Sequence, residues 1–383
     1  MNRLLLSACA LRFFDAFVLI APFYTVMFAE RGLTPAQIGI VLASWSMVGV
    51  VLEAPCGVLA DRWSRRWILA IAQLLRVVGF MIWIAFPNFW GFLIGLMLWG
   101  MKSASLSGCF EALIYDELAA LKRQGEYVTV YGRTQAARFS GVVAASLGAA
   151  VAAGLGYDAL IWAGVAAGLA AAIAAMSIPQ APKVLAVGRW DFLGHLARGA
   201  KEAASRPDVP ALLLFIAGMQ AITYACSDYW QLFGLEVGLT KPGIALFVAS
   251  LSAVGALAAW QAHRLRRLPL TGLCVLLAIA GACLTLAAAT FQVWSIVLPL
   301  AFVALYWLVD TNADARFQHA LNPETRATVA SLKGFVMQCG TSVLMLTFGL
   351  VADSASYQAA FFGAGLAAML LGGSYALWAR GRG

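Results

Sequence analysis

The chain alternates between long apolar runs and short polar gaps over nearly its whole length. A helix needs about 20 mostly apolar residues to cross about 30 Å of hydrocarbon. Alternating segments of about 10 residues, typical of membrane β-barrels, do not occur. The pattern therefore predicts an all-α membrane protein with twelve transmembrane helices. The predicted spans lie at about 4–29, 35–59, 67–86, 89–115, 131–155, 157–178, 209–235, 242–262, 268–290, 293–315, 327–351 and 356–379.

The composition agrees with a membrane protein and excludes a soluble globular one. Hydrophobic residues make up 62% of the 383 positions and charged residues 11%, against about 45–50% and about 25% in soluble domains. The net charge of +8 does not indicate a nucleic-acid partner, because the basic residues lie in the short gaps between apolar runs. Basic residues in such gaps are the signal of membrane topology.

Lysine and arginine counts on the two sides of the predicted spans give the orientation. The gaps on the side of the N-terminus hold 19 of the 26 basic residues, and the opposite gaps hold Arg31 and Lys241. Positive residues concentrate in cytoplasmic loops. Both termini are therefore predicted to be cytoplasmic.

The longest gap, at about 179–208, divides the chain into two sets of six helices. We expect three parts: an N-terminal six-helix bundle at 1–178, an inter-bundle loop at 179–208, and a C-terminal six-helix bundle at 209–383. Within the loop, positions 189–205 place apolar side chains on one helical face, which fits a helix lying at the membrane interface. A solvated tether between the bundles is the alternative.

An internal repeat supports this division. Residues 32–34 (Gly-Leu-Thr) recur at 238–240, and five further positions within 43–49 match at the same offset of 206. Such repeats occur in transporters whose halves are related by an axis normal to the membrane. The two bundles are therefore predicted to be pseudo-symmetric. Tyr24 and Trp230 are equivalent under this offset, and either they contact a substrate as a pair or they pack helices.

The gap after the second span carries a specific motif. Residues 57–66 read Gly-Val-Leu-Ala-Asp-Arg-Trp-Ser-Arg-Arg, which resembles the G-x-L-a-D-R-x-G-R-R/K loop of the major facilitator superfamily, with Ser64 in place of the usual glycine. The resemblance, together with the twelve spans and the repeat, covers the whole chain. It implies a secondary active transporter that works by alternating access, without a cofactor, as a monomer in membrane lipid.

The resemblance also implies a conformational latch on the cytoplasmic side. Asp61 would meet the N-terminal dipole of the eleventh helix, and Arg65 or Arg66 would pair with Asp116. The motif residues Gly57 and Arg62 complete this predicted latch. The alternative is that the three arginines only set the orientation.

Two stretches, 107–116 and 326–331, resemble a bacterial branch that includes many presumed drug and metabolite exporters. The expected location is therefore a bacterial inner membrane. The glycine-proline pair that drug/proton antiporters usually carry in the fifth helix is missing here, so antiport stays a hypothesis.

Charged residues inside the spans are costly, at about 2.5–3.5 kcal/mol each near the bilayer centre, and so need a partner or a function. Arg12 and Asp15 lie three positions apart and could pair on one helix face. Asp15 is thus either a structural partner of Arg12 or a candidate proton carrier, and Asp228 is the second candidate. Arg76 and Lys102 are both expected near the midplane.

These two cations, with one deep acid beside them, favour an anionic substrate, and Arg12 belongs to the same candidate substrate site. Alternatively, they pair with Glu53 or Glu111 and bind no substrate. Asp310, Asp314 and Lys333 are expected to form an ion network in the C-terminal bundle.

The remaining motifs narrow the function. Only three histidines occur, all in or beside predicted cytoplasmic loops, and the chain has no Walker-type loop, Gly-x-Ser-x-Gly or His-Glu-x-x-His, so neither an enzyme nor a metal site is predicted. We expect a proton-coupled exporter of small amphipathic or anionic compounds. An importer of a metabolite or metal chelate, working as a symporter, and a lipid flippase on the same fold are the alternatives.

Overall fold

The structure, a computed structural model, describes residues 2–179, 192–205, 208–321 and 326–380. Its regular elements in these ranges are all helical, because a helix satisfies its backbone hydrogen bonds internally where lipid offers none. The α-helices are α1 (Asn2–Ala16), α2 (Tyr24–Glu30), α3 (Pro35–Arg62), α4 (Arg65–Ala85), α5 (Phe89–Leu106), α6 (Cys109–Ala120), α7 (Tyr127–Ala152), α8 (Tyr157–Ser177), α9 (Phe192–Ala204), α10 (Val209–Ser227), α11 (Trp230–Glu236), α12 (Lys241–Gln261), α13 (Leu270–Thr290), α14 (Val297–Ala320), α15 (Arg326–Ser354) and α16 (Tyr357–Arg380).

Eleven helical segments of the described chain are long and apolar enough to cross a membrane. They correspond to the predicted spans from the second to the twelfth. The seventh, predicted at 209–235, ends at Ser227, and its last part forms the separate helix α11. The first predicted span, 4–29, is divided instead into α1 and α2, with residues 17–23 between them outside any α-helix. A single helix there was the wrong prediction, since an apolar run does not reveal a break that tertiary contacts stabilise. Non-helical backbone at membrane depth is tolerated where protein buries it.

The repeat is visible in the backbone. The helices α2 and α11 have identical bounds after a shift of 206 positions. Each is followed by a glycine in the left-handed region, Gly32 with φ of 89° and Gly238 with φ of 92°. Such values favour glycine because a Cβ would be strained there. The following helices also start alike. The Thr34 hydroxyl accepts a hydrogen bond from the backbone amide of Gln37, and the Thr240 hydroxyl accepts one from the backbone amide of Gly243.

The chain forms two compact units. The first contains residues 1–33 and 44–190, and the second contains 34–43 and 191–383. In the first unit, α1 packs on α7 and α8, while α4 packs on α5 and α8. In the second, α13 packs on α16 and α14, and α10 packs on α15. Buried apolar side chains fill the space between these helices.

The first turns of α3 belong to the second unit and touch α15 through two glycines. A Cβ placed on Gly39 would lie 2.9 Å from the Cα of Gly349, and one on Gly349 would lie 2.7 Å from the Cα of Gly39. Small residues let membrane helices approach this closely. Nearby, the Tyr229 hydroxyl donates to the Met345 carbonyl at 2.8 Å.

A helix in the central loop is confirmed. The amphipathic helix α9 contacts α10 and α15, with Gly199 against the Thr328 carbonyl and Ala203 buried. Its packing on the second unit distinguishes it from a free tether. The start of the predicted helix, at 189–191, lies outside the described residues.

Candidate functional site

A buried group of charges lies within the first unit, where α1, α4 and α5 meet. The Lys102 ammonium pairs with the Asp15 carboxylate, and the Gln73 amide donates to that carboxylate at 2.8 Å. The Arg76 guanidinium lies 3.8 Å from the same oxygen. Arg76 and Gln73 are completely buried, and Asp15 and Lys102 are 8% and 6% exposed. We call Asp15, Gln73, Arg76 and Lys102 the central charge cluster.

The break after α1 explains how Arg76 is held. The last carbonyls of a helix have no partner within it. Arg76 donates to the Asp15 carbonyl at 2.6 Å and to the Phe14 carbonyl at 3.3 Å. One side chain therefore satisfies the end of α1 and also approaches the Asp15 carboxylate. Since this capping needs a helix end, the broken first helix and the buried arginine depend on each other.

Arg12 does not pair with Asp15 as the three-residue spacing suggested. Its guanidinium donates to the Gln135 side chain on α7 at 3.0 Å and lies 4.9 Å from the centre of the Phe110 ring. Gln135 in turn donates to the Tyr131 hydroxyl at 2.6 Å, and Tyr131 donates to Glu111 at 3.3 Å. This polar chain joins α1, α6 and α7 beside the central charge cluster.

Positive charge exceeds negative charge in this region. The region holds three cations, Arg12, Arg76 and Lys102, and two carboxylates, those of Asp15 and Glu111. The two deep cations pair with Asp15, whereas the Glu111 carboxylate accepts from Tyr131; the side chain of Glu53 lies outside the described residues. A surplus of cations in a buried site favours an additional anionic group.

The aromatic pair predicted from the repeat is buried in two separate aromatic clusters. The Tyr24 ring lies 6.4 Å from that of Trp83 and 6.1 Å from that of Trp99. The Trp230 ring stacks on Phe361 at 5.3 Å. Tyr24 is 7% exposed and Trp230 is 4% exposed, which is the burial expected of rings that pack helices. Their contact with a substrate stays a prediction.

On the predicted cytoplasmic side, Arg65 pairs with Asp116, as the motif implied. Arg65 is the first residue of α4, and Asp116 lies on α6. Arg66, the other candidate partner, has a buried Nε without a hydrogen-bond partner in the described chain. The surroundings of Gly57 and the side chains of Asp61 and Arg62 lie outside what the structure describes. The role of these residues as a latch stays a prediction.

The ion network predicted in the C-terminal bundle is instead two separate interactions. Lys333 pairs with Asp314, but Asp310 accepts a hydrogen bond of 2.8 Å from the Gln220 amide instead. Asp228, the second candidate proton carrier, is half-buried at the junction between α10 and α11. It therefore lies on a different helix pair from Asp15, and the role of either residue as a proton carrier stays a prediction.

The described residues contain no group of three or more histidine, cysteine or carboxylate side chains that could hold a metal ion. The polar atoms that do converge belong to amides, hydroxyls, carboxylates and cations on neighbouring helices. Such a site can bind, release and neutralise charged groups.

A family model of the Major Facilitator Superfamily matches residues 5–340. The chain belongs to this superfamily. It is a multi-pass membrane transporter with the twelve-span, two-bundle fold of the superfamily.

Curated relatives match parts of this superfamily member. It is 28% identical over 160 residues to the inner membrane transport protein YajR of Escherichia coli (strain K12), covering 40% of this chain and 33% of YajR. It is 32% identical over 91 residues to solute carrier family 2, facilitated glucose transporter member 12, of Danio rerio, covering 24% and 15% of the two proteins. The matches thus span a third or less of these relatives.

Solved structures match this transporter over nearly its whole length. The nucleoside transporter NupG aligns with a TM-score of 0.77 at 15% identity, covering 98% of both chains. A bacterial homologue of the human lysosomal transporter Spinster, inward-facing and occupied, aligns with a TM-score of 0.79 at 14% identity, covering 99% of this chain and 96% of that one. A D-xylose-proton symporter aligns with a TM-score of 0.70 at 15% identity, covering 99% of this chain and 96% of that one. At these identities the likeness shows the fold alone.

The neutral polar residues of this transporter's site were missed in the sequence. Gln73, Gln135 and Gln220 each hydrogen-bond a charged or polar side chain on another helix. A glutamine in an apolar span was a usable signal, because an amide in hydrocarbon also needs a partner. The partner's identity depends on which helices pack together.

Proposed function

We propose that this transporter carries small amphipathic or anionic compounds across a bacterial inner membrane by alternating access, with protons as the coupling ion and with export as the direction. Both termini lie in the cytoplasm in this proposal. The observation that supports an anionic substrate is the central charge cluster, where Arg76 and Lys102 converge on the one carboxylate of Asp15.

Lys102 is the residue we assign to the substrate. Arg76 is fixed by two backbone carbonyls at the end of α1, whereas Lys102 pairs with the Asp15 carboxylate alone among the residues that the structure describes. A flexible ammonium can exchange one anion for another. A substrate carboxylate, sulfonate or phosphate would then replace Asp15 as the partner of Lys102, and Arg12 would add to the attraction.

Asp15 is the residue we assign to the proton at this site. While it pairs with Lys102 and Arg76 it is held as a carboxylate, because nearby cations favour the charged form. Displacement from Lys102 by a substrate would weaken that preference. By itself this effect makes proton binding at Asp15 and anion binding at Lys102 favour each other. For exchange, each of the two must leave the site before the other is carried across.

Export is supported by the stretches at 107–116 and 326–331, which resemble the exporter branch. A second candidate, proton-coupled import, is favoured by the shared contact of Lys102 and Asp15. If a proton on Asp15 frees Lys102 for an anion, proton and substrate bind together, and that is the order of a symporter. The direction of proton movement separates the two.

The test uses acid-loaded proteoliposomes that contain a pH-sensitive dye. Naphthalenesulfonate is added outside, because a permanent anion carries no proton through the lipid by itself. Lumenal alkalinisation means exchange of substrate for protons and supports export, whereas further acidification means symport and overturns the export direction. Tetraphenylphosphonium, an amphipathic cation, tests the charge preference.

Two variants assign the roles. Lys102→Gln is expected to abolish the response to naphthalenesulfonate, while Asp15→Asn is expected to transport it without moving protons. Empty liposomes and the exposed Lys122→Gln variant are the controls, since Lys122 lies in the turn after α6. A normal response of Lys102→Gln would exclude Lys102 from the substrate site.

A further inference from the structure

The polar chain that joins α1, α6 and α7 in the first unit ends in a glutamate. Arg12 donates to Gln135 at 3.0 Å, and Gln135 donates to the Tyr131 hydroxyl at 2.6 Å. Tyr131 donates in turn to Glu111 Oε1 at 3.3 Å. This last bond exceeds the usual O–H···O length of about 2.7–2.8 Å. Tyr131 therefore holds Glu111 more weakly than Gln135 holds Tyr131.

Two atoms of the polar chain are buried without a hydrogen-bond partner in the part of the protein that the structure describes. They are Glu111 Oε2, an acceptor, and Arg12 Nε, a donor. Arg12 as a whole is 8% exposed. Buried polar atoms in proteins nearly always have a partner. Glu111 therefore requires a donor that the described side chains do not supply.

The fourth span is interrupted next to Glu111. The helix α5 ends at Leu106 and α6 begins at Cys109, and Gly108 between them has φ of 71°. Lys102 lies near the end of α5, and Glu111 lies in the first turn of α6. Substrate sites of secondary transporters are typically formed by such discontinuous helices. One interrupted span thereby contributes a cation before the break and a carboxylate after it.

An ammonium group is the donor that suits Glu111. Among the described residues, Glu111 accepts from the Tyr131 hydroxyl and forms no ion pair, and Arg12 is hydrogen-bonded to it only through Gln135 and Tyr131. A carboxylate inside a bundle of spanning helices normally pairs with a cation. An ammonium has three donors, and its charge-assisted hydrogen bonds are roughly twice as strong as neutral ones. It can therefore displace Tyr131 from Oε1 and also satisfy Oε2.

The polar chain begins one helical turn from the central charge cluster. Arg12 and Asp15 are three residues apart on α1, which is about 4.5 Å along the helix axis. Lys102 pairs with Asp15, and Arg12 leads to Glu111 through the polar chain. A small molecule with one anionic and one ammonium group can thus reach Lys102 and Glu111 together.

We propose that Glu111 is an ammonium-binding subsite, so that the substrates of this transporter are amphipathic zwitterions of the amino-acid type. The ammonium group donates to both oxygens of Glu111 and displaces the Tyr131 hydroxyl, while the anionic group binds Lys102. Arg12 stays on Gln135 and attracts the anionic group. The inference rests on the anion binding at Lys102 in the proposed function and narrows its substrate class.

The first test compares ligands that share a phenyl ring and differ in charge. Binding to the purified protein in lipid nanodiscs is measured by titration calorimetry with phenylalanine, 3-phenylpropionate and N-acetylphenylalanine. Phenylalanine is expected to bind about tenfold more tightly than the other two, which lack the ammonium group. Equal affinities for the three ligands, or no binding of phenylalanine, would overturn the proposal.

Two variants assign the ammonium to its partner. Glu111→Gln is expected to lose the advantage of phenylalanine and to keep the affinity for 3-phenylpropionate, which also shows that the variant is folded. Glu30→Gln is the matched control, because Glu30 likewise accepts from a tyrosine hydroxyl, that of Tyr157 at 2.8 Å, but lies at an exposed position. An advantage of phenylalanine that persists in Glu111→Gln would exclude Glu111 as the subsite and leave a bound water as its partner.

Lys102→Gln separates this inference from the proposed function. It is expected to weaken the binding of both phenylalanine and 3-phenylpropionate. If Lys102→Gln binds both ligands as the wild type does, while Glu111→Gln loses phenylalanine, the anion assignment of the proposed function fails and the ammonium subsite stands. If Lys102→Gln loses both ligands and Glu111→Gln binds both as the wild type does, the proposed function stands and the ammonium subsite fails.

Tyr131→Phe tests the displacement with the opposite sign. Its ring remains but its hydroxyl no longer competes for Glu111 Oε1. Phenylalanine is therefore expected to bind more tightly to this variant than to the wild type, with no gain for 3-phenylpropionate. A loss of helix packing alone would not strengthen the binding of one ligand selectively. Weaker binding of phenylalanine in Tyr131→Phe would contradict the displacement.

Discussion

Arg76 and Asp15, 61 positions apart, are joined through the backbone as well as through charge. Arg76 donates to the Asp15 carbonyl at 2.6 Å, and its guanidinium lies 3.8 Å from the Asp15 carboxylate. The first contact caps α1 and the second balances charge. Any change at Arg76 therefore alters the break in the first helix together with the electrostatics of the central charge cluster.

Arg76→Lys is expected to destabilise the protein although it keeps the charge. A lysine has no planar fork with which to reach both carbonyls, and a hydrogen bond involving a charged group contributes about 1.5–3 kcal/mol. We expect the free energy of unfolding, measured by titration with sodium dodecyl sulfate in mixed micelles, to fall by about that amount.

Arg31→Lys is the control for this loss. Arg31 pairs with Asp158 at 3.2 Å, and their side chains are 37% and 62% exposed, so the pair contributes only about 0–1 kcal/mol. If the two substitutions lower the free energy of unfolding equally, the hydrogen bonds from Arg76 to the end of α1 contribute no more than an exposed ion pair.

Asp15→Asn is expected to be less stable than the double variant Asp15→Asn with Lys102→Met. The single change leaves two buried cations without their carboxylate, and removal of one partner from a buried pair costs roughly 3–5 kcal/mol. The second change removes one of those cations. A double-mutant cycle on the free energy of unfolding measures the coupling, and additive effects of the two changes would contradict the pairing.

The Arg65–Asp116 pair is expected to affect transport more than stability. Asp116 is 44% exposed, and exposed ion pairs stabilise by about 0–1 kcal/mol. Asp116→Asn should therefore lower the rate of probe uptake with little change in the melting temperature. Exchange of the two charges, by Arg65→Asp with Asp116→Arg, should recover part of the rate if the pair acts as a latch.

The exposed pair of Arg123 and Glu126 offers the matched control, and Glu126→Gln should leave uptake unchanged. An uptake rate that is the same in Asp116→Asn and the wild type would leave these arginines with the role of setting orientation only.

Gly349→Ala is expected to separate the start of α3 from α15. The new Cβ would lie 2.7 Å from the Gly39 Cα and from the Pro35 carbonyl, and backbone atoms cannot move aside as a flexible side chain can. Ala36 and Asp353 are near each other, with 3.5 Å between the amide nitrogen and the carboxylate. Disulfide formation between cysteines at 36 and 353, in a background without the native cysteines, measures the effect.

Gly334→Ala on the same helix is the control, since a Cβ there meets nothing within 4 Å. We expect cross-linking to slow in Gly349→Ala and to stay as in the parent in Gly334→Ala. Rapid cross-linking in both variants would show that α15 tolerates the added methyl group.

The sequence alone predicted the membrane spans, the motif loop and the repeat, because these depend on local composition and spacing. An apolar run of sufficient length favours a helix in lipid, although the first run is interrupted between α1 and α2. Gly32 and Gly238 occupy equivalent turns because the same Gly-Leu-Thr signal ends one helix and starts the next. The pairing of Arg65 with Asp116 followed from the resemblance of the motif.

Tertiary structure alone decided which buried charges meet. Spacing along α1 suggested that Arg12 pairs with Asp15, but Asp15 is held by Arg76 and Lys102 from two other helices. Likewise, Asp310 bonds to Gln220, 90 positions away, instead of joining Lys333. Sequence spacing describes neighbours on one helix, whereas the partners of a buried charge are set by the rotation and depth of the helices packed around it.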